Sequence, residues 1–304
     1  MEIRAEYKAL KAERTDLNAL LASEEKRWAT ITGEIREMRK TFGDDPALGP
    51  RRSTFADAPT GELMPIEAMV EKEPVTVVCS EKGWLRALRG HVEEGHDVRY
   101  KDGDKGRFWL HAQSTDKLVL FATNGRFYTL SCDKLPGGRG NGEPVRLLLD
   151  LANDQEIISM MVHDPERKLL VASSDGRGFV VEEKATVAQT RGGRQVLNVS
   201  GDVEAAVCAP VQGDHLAVVG DNHKLLLFPL TELPEMNRGR GVVLQRYRDG
   251  GLADAKTMTL TDGLTWRQAG GRTRTETDLE MWLGKRSQAG RLAPKGFPKN
   301  HKFG

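Results

Sequence analysis

The stretch Leu118-Val119-Leu120-Phe121-Ala122-Thr123-Asn124-Gly125-Arg126-Phe127-Tyr128-Thr129-Leu130 decides the fold. An apolar run leads into Asn124-Gly125, a pair that supplies the positive φ angles of a tight hairpin turn, and a second strand-forming run leads away. The unit recurs. Val75 to Cys79 precedes Lys82-Gly83 and Trp84-Leu85-Arg86-Ala87-Leu88, and Leu169 to Ala172 precedes Asp175-Gly176 and Phe179-Val180-Val181. Leu216 to Val219 precedes Asp221-Asn222 and Leu225 to Phe228, and Met258 to Leu260 precedes Asp262-Gly263 and Leu264-Thr265-Trp266. Turn positions 83, 125, 176, 222 and 263 are spaced by 42, 51, 46 and 41 residues. One hairpin cannot bury both its faces alone, so five copies at this step predict five small sheets set radially, a mainly β, propeller-like disc over 74–304.

Upstream the pattern changes. Positions 3, 7, 10, 14, 17, 21, 24, 28, 31, 35, 38 and 42 alternate steps of four and three, and all but Arg14 and Glu24 are apolar. That is a coiled-coil seam, and it predicts one long helical arm over 1–42, roughly 60 Å at 1.5 Å per residue. An arm of that length needs a partner helix. The chain is therefore expected to be part of a larger polypeptide that supplies one, with a self-dimerising coiled coil as the alternative. Residues 43–73 carry Pro46, Pro50, Pro59 and Pro65 without a sustained period and read as a linker.

Composition narrows the function. The 304 residues carry 45 basic and 44 acidic side chains, and the mean hydropathy is -0.49 with no apolar run near the ~20 residues of a membrane span. The N-terminus lacks the apolar core of a signal peptide, so the cytoplasm is expected. Cys79, Cys132 and Cys208 lie 53 and 76 residues apart in apolar settings and read as reduced core thiols. No nucleophile beside a base, paired carboxylates or metal-ligand spacing is found, so neither catalytic nor metal residues are expected. Gly137 to Gly142 is glycine-rich but lacks the Lys-Ser or Lys-Thr ending of a phosphate loop, and it reads as a connection between sheets.

What recurs instead is arginine among glycines: Arg139, Arg191-Gly192-Gly193-Arg194, Arg238-Gly239-Arg240-Gly241 and Gly270-Gly271-Arg272-Thr273-Arg274. Glycine admits close backbone approach, and guanidinium is a planar, multi-donor partner for phosphate oxygens. With aromatics at 6%, stacking on single strands is less favoured than contact with a duplex backbone. The expected contacts are Arg86, Arg89, Arg126, Arg139, Arg177, Arg191, Arg194, Arg238, Arg240, Arg272 and Arg274. Lys285, Arg286 and Arg291 join them in an acid-free, mobile basic tail over 285–302. Solvated loops on a protein-interaction scaffold are the rival reading.

Gln189-Thr190-Arg191-Gly192-Gly193-Arg194-Gln195 resembles a degenerate gyrase box, whose core is basic-Gly-Gly-basic-Gly; here Thr190 and Gln195 depart from it. Arg51-Arg52-Ser53-Thr54-Phe55, Val75 to Trp84 and Phe121 to Tyr128 are similar to the C-terminal DNA-binding region of bacterial type IIA topoisomerase A subunits, on the topoisomerase IV side rather than the gyrase side. The resemblance implies a five-bladed β-pinwheel behind the end of the core's coiled-coil arm. It also implies a non-catalytic domain that binds and bends duplex DNA for decatenation and supercoil relaxation in chromosome segregation, with gyrase-type wrapping as the alternative. The active-site tyrosine domain would lie upstream. The intact enzyme would self-associate through its missing core, pair with a topoisomerase IV B subunit, and use Mg²⁺ and, through that B subunit, ATP; no cofactor is expected in this chain.

Overall fold

The computed structural model describes residues 2–43, 45, 49, 71–94, 98–138, 140–268 and 270–304. The chain divides into two units, Met1–Leu63 and Met64–Gly304. Most of the linker, including Arg51 to Phe55, lies outside the described residues.

The first unit does not hold the single long helix that the heptads predict. Helix α1 (Glu2–Ala22) stops at Ser23, and α2 (Glu24–Met38) starts anew before a short π-helical turn at Arg39–Gly43. Ser23 is extended (φ -119°, ψ 116°), and its hydroxyl accepts from the Lys26 N–H. A serine cap followed by Glu24 and Glu25 stabilises a helix start, and at this position it outweighs the continuity of the seam. The apolar stripe, from Ile3 through Trp28 to Phe42, is exposed.

The second unit holds strands β1 (Pro74–Ser80), β2 (Trp84–Arg89), β3 (Gly106–Gln113), β4 (Lys117–Ala122), β5 (Arg126–Ser131) and β6 (Glu143–Pro144). The short helix α3 (Val145–Leu148) follows, then β7 (Ile157–Val162), β8 (Lys168–Ser173), β9 (Arg177–Glu182), β10 (Arg194–Gln195), β11 (Ala205–Pro210) and β12 (His215–Gly220). The last strands are β13 (Lys224–Pro229), β14 (Val242–Val243), β15 (Leu252–Met258), β16 (Leu264–Arg267), β17 (Thr273–Glu276) and β18 (Arg291–Leu292). They form four antiparallel four-stranded sheets, ordered β3-β1-β2-β6, β10-β5-β4-β7, β11-β8-β9-β14 and β15-β12-β13-β18, and one hairpin, β16-β17.

Each sheet is assembled by exchange. The hairpin β1-β2 takes β6 only after the chain has passed through the next hairpin, β4-β5, and come back. Strands β10, β14 and β18 repeat the return for the second, third and fourth sheets. At the opposite edges, β3, β7, β11 and β15 pack against one another in succession, so they lie inward and the return strands lie outward.

The cores lie between sheets. Leu118 and Leu120 of β4 face Val77 and Leu85 of the first sheet, whereas Val119 and Phe121 face Leu169, Val171 and Phe179 of the third. Alternate residues point to opposite faces, and both faces are covered, so β4 is apolar at nearly every position. Leu170 and Val180 meet Leu216 and Val218, and Ala217 and Val219 meet Leu264 and Trp266, by the same rule.

Two expectations change. The fifth hairpin turns through Gly270 and Gly271 (φ +98° and +81°), not Asp262-Gly263; Met258 ends the inner strand of the fourth sheet, and Gly263 (φ +79°) terminates a 3-10 turn, Leu260–Asp262. An Asp-Gly pair closes a short helical turn as readily as a hairpin. The basic tail is folded rather than mobile: Phe297 and Phe303 are buried with Trp266, and the Arg267 N–H donates to the Phe303 carbonyl at 2.8 Å.

Candidate nucleic-acid interface

The return connections bring the arginine-glycine segments 191–194 and 238–241 to the outer edges of the sheets, whereas 270–274 lies at the turn of the fifth hairpin. A left-handed glycine stands immediately before each return strand: Gly142 (φ +80°), Gly193 (φ +69°), Gly241 (φ +73°) and Gly290 (φ +72°). A Cβ there would lie within 3 Å of a backbone carbonyl oxygen of the strand receiving the return, in Leu85, Phe127, Gly178 and Leu225 respectively. These glycines admit the exchanged strand. The close approach that the sequence assigns to phosphate is thus taken up, at Gly193 and Gly241, by neighbouring backbone.

The basic residues around the glycines divide by environment. Arg194 on β10 and Arg291 on β18 are exposed, as are Arg89 at the end of β2, Arg272 in the fifth turn and Lys285; none has a side-chain partner among the described residues. Arg191 is exposed while its Nε donates to the Leu148 carbonyl at 3.0 Å and a second nitrogen to Leu147, which fixes the gyrase-box-like loop to the end of α3. Arg238 donates to the Asn198 side chain at 3.3 Å, and Arg240 and Arg177 lie 3.7 and 3.6 Å from Asp175. Arg126 donates to the Gly192 carbonyl at 2.8 Å. Arg274 is held by the Lys295 carbonyl, by Glu276 and over the Trp266 ring. Arg286 is half-buried and donates to the Val243 carbonyl.

Arg86 does not belong on the surface. It is buried, and its guanidinium donates to the Gly140 and Arg99 carbonyls, binding a loop to its own sheet. Arg139 lies outside the described residues. Arg246 and Arg248, which the series of expected contacts leaves out, are exposed on the connection after β14; their acid-free setting from Met236 to Arg248 is the signal that could have added them.

Gln195, where a gyrase box has glycine, donates its amide to the Asn124 and Leu197 carbonyls at 3.0 and 2.6 Å and so clamps the end of the box to the second hairpin turn. The cysteines take no part. Burial pushes the thiols of Cys79 and Cys132 up to about 12 and that of Cys208 upward as well. Among the described residues no three His, Cys, Asp or Glu side chains converge as metal ligands, and no helix is long and apolar enough to cross a membrane.

Comparison with known proteins agrees with this architecture. The family model described as the DNA gyrase C-terminal domain, beta-propeller, matches residues 116–164, 167–207 and 214–252. The A subunit of DNA topoisomerase 4 from Caulobacter vibrioides is 44% identical over 312 aligned residues, covering 100% of this chain and 41% of that protein. The Rickettsia bellii protein of the same name is 39% identical, covering 99% of this chain and 41% of its own length. The solved E. coli ParC C-terminal domain superposes with a TM-score of 0.66 at 26% identity, over 75% of this chain and 96% of that one. The chain spans about two fifths of the length of these curated relatives. It belongs to the family of bacterial type IIA topoisomerase A subunits, as a C-terminal β-pinwheel region of the topoisomerase IV kind.

Proposed function

We propose that the outer edge of the β-pinwheel holds and bends duplex DNA through phosphate contacts and presents it to the strand-passage core of the parent topoisomerase, without itself cutting DNA. The observation that carries this reading is the placement of β6, β10, β14 and β18 on the outer edge of successive sheets, three of them in segments with exposed Arg191, Arg194, Arg240, Lys285 or Arg291. Arg89, Arg126, Arg177, Arg238, Arg246, Arg248, Arg272 and Arg274 extend the track, which has little capacity for base readout. The departure of Thr190 and Gln195 from the gyrase box favours bending over gyrase-type wrapping.

In the parent, the exposed stripe of α1 and α2 packs on a helix of the catalytic core as part of its coiled-coil arm. The domain division follows 1–42, 43–73 and 74–304. The active-site tyrosine, Mg²⁺, self-association and the ATP-hydrolysing B subunit belong to parts outside this chain, which acts in the cytoplasm in decatenation and chromosome segregation. Labelled duplexes of several lengths, titrated against the chain across salt, test the DNA reading. If 6 to 10 phosphates are engaged, affinity falls about 10³ to 10⁵ fold between 50 and 200 mM salt, and Arg191→Glu with Arg194→Glu weakens binding regardless of sequence. A flat salt response rejects it.

A further inference from the structure

Three of the four complete sheets close their outer edge with a second contact besides the return strand. In the first, the Ala87 N–H donates to the Pro136 carbonyl at 2.8 Å. In the third, the Val180 N–H donates to the Pro234 carbonyl at 3.1 Å, and its carbonyl accepts from the Met236 N–H at 2.8 Å. In the fourth, the Leu227 carbonyl accepts from the Gly284 N–H at 2.8 Å. Each of these residues is the fourth of its strand. The fourth residue of β5 is Thr129, and among the described residues no backbone group of its return connection bonds to its backbone. Its hydroxyl instead accepts from the Ala188 N–H at 2.9 Å. The gyrase-box-like connection therefore stands off from the sheet, and a cleft of about 700 Å³ is left beside the open edge. Leu135, Leu148 and Val187 give it apolar walls, Lys117, Lys134 and Arg191 give it positive charge, and among the described residues no carboxylate lines it.

We propose that this cleft takes an extended peptide of a partner protein, with apolar residues flanking a glutamate, added alongside β5 at Thr129. The third sheet shows the chemistry of the occupant. There Leu233-Pro234-Glu235-Met236 runs parallel to β9 at Val180; Leu233 and Met236 pack into the apolar clusters, and the Glu235 carboxylate meets Lys168 Nζ at 2.5 Å. Lys168 is the first residue of β8, and Lys117 is the first residue of β4. Lys117 is exposed and has no carboxylate partner among the described residues. A strand added at an open edge gains backbone hydrogen bonds for affinity and side-chain pockets for specificity. Duplex DNA would use the cations but not the apolar walls.

The test uses a fluorescein-labelled peptide with the sequence of residues 231–237, Thr-Glu-Leu-Pro-Glu-Met-Asn, titrated against the whole chain by anisotropy. Saturable binding below about 1 mM is expected. Lys117→Glu should weaken it roughly fivefold or more, and a peptide with lysine in place of its second glutamate should recover binding to that variant. Absence of saturation overturns the proposal. So does binding indifferent to Lys117→Glu, or displacement by duplex DNA with that same indifference, which would make the cleft part of the DNA track. The DNA reading rests on the salt response, so the two can fail separately.

Discussion

Gly193 sits at φ +69°, with the position of a Cβ 2.8 Å from the carbonyl oxygen of Phe127. Both features oppose a side chain: the left-handed region disfavours L residues, and the receiving strand occupies the space. Gly193→Ala should therefore lower stability by about 2 kcal/mol, with Gly142→Ala, whose Cβ would fall 2.3 Å from the Leu85 oxygen, at least as costly. Thermal unfolding of the two variants measures this. An unchanged midpoint in both would refute the view that these glycines admit the return strands.

The recurrence of hairpins was legible because each turn writes its own local chemistry, and because burial on both faces makes strands such as Leu118 to Ala122 continuously apolar. Strand exchange was not. A return strand of two residues, such as Glu143-Pro144 or Val242-Val243, carries no periodicity of its own, and its only local mark is the glycine before it. The fourth turn hides its left-handed residue for a related reason: His223 (φ 58°) occupies the place that Gly83, Gly125 and Gly176 hold elsewhere. The expected contact residues were a mixture, since spacing alone does not separate Arg86, turned inward to two carbonyls, from exposed Arg194.

That difference gives opposite phenotypes. Arg86→Ala leaves the Gly140 and Arg99 carbonyls without their donor, and should cost about 1 to 3 kcal/mol of stability. Arg194→Ala should leave the unfolding midpoint within about 0.5 kcal/mol while reducing the salt slope of duplex binding by about 0.9. Calorimetry and salt titration on both variants separate the two roles. Equal loss of stability in both would remove the distinction.

The folded C-terminal segment makes a further claim. Phe297 and Phe303 share a cluster with Trp266, the Trp266 Nε1 donates to the Gly296 carbonyl, and the Phe303 N–H donates to the Asp254 carboxylate at 2.8 Å. A chain ending at Pro294 should lose order in the fifth hairpin, through loss of two aromatic side chains that contribute about 1.5 to 3 kcal/mol each by burial. Tryptophan fluorescence and amide exchange over 264–276 report on this. Protection equal to that of the full chain would mean that the segment contributes charge alone.

His223 ties the same segment to pH. Its ring lies 5.0 Å from that of His301 and 5.9 Å from that of Phe297. Burial, and then the neighbouring His301, hold its pKa below the usual value of 6.5. The folded state therefore resists a proton that the unfolded chain accepts near pH 6.5. This contribution to stability is complete above that pH and is lost as pH falls through the lower folded value. His223→Asn keeps a side chain that tolerates the left-handed backbone and removes the titration. The midpoint of the wild-type chain should fall more than that of the variant between pH 7.5 and pH 5.5. Parallel declines over that interval would place the pH response elsewhere than His223.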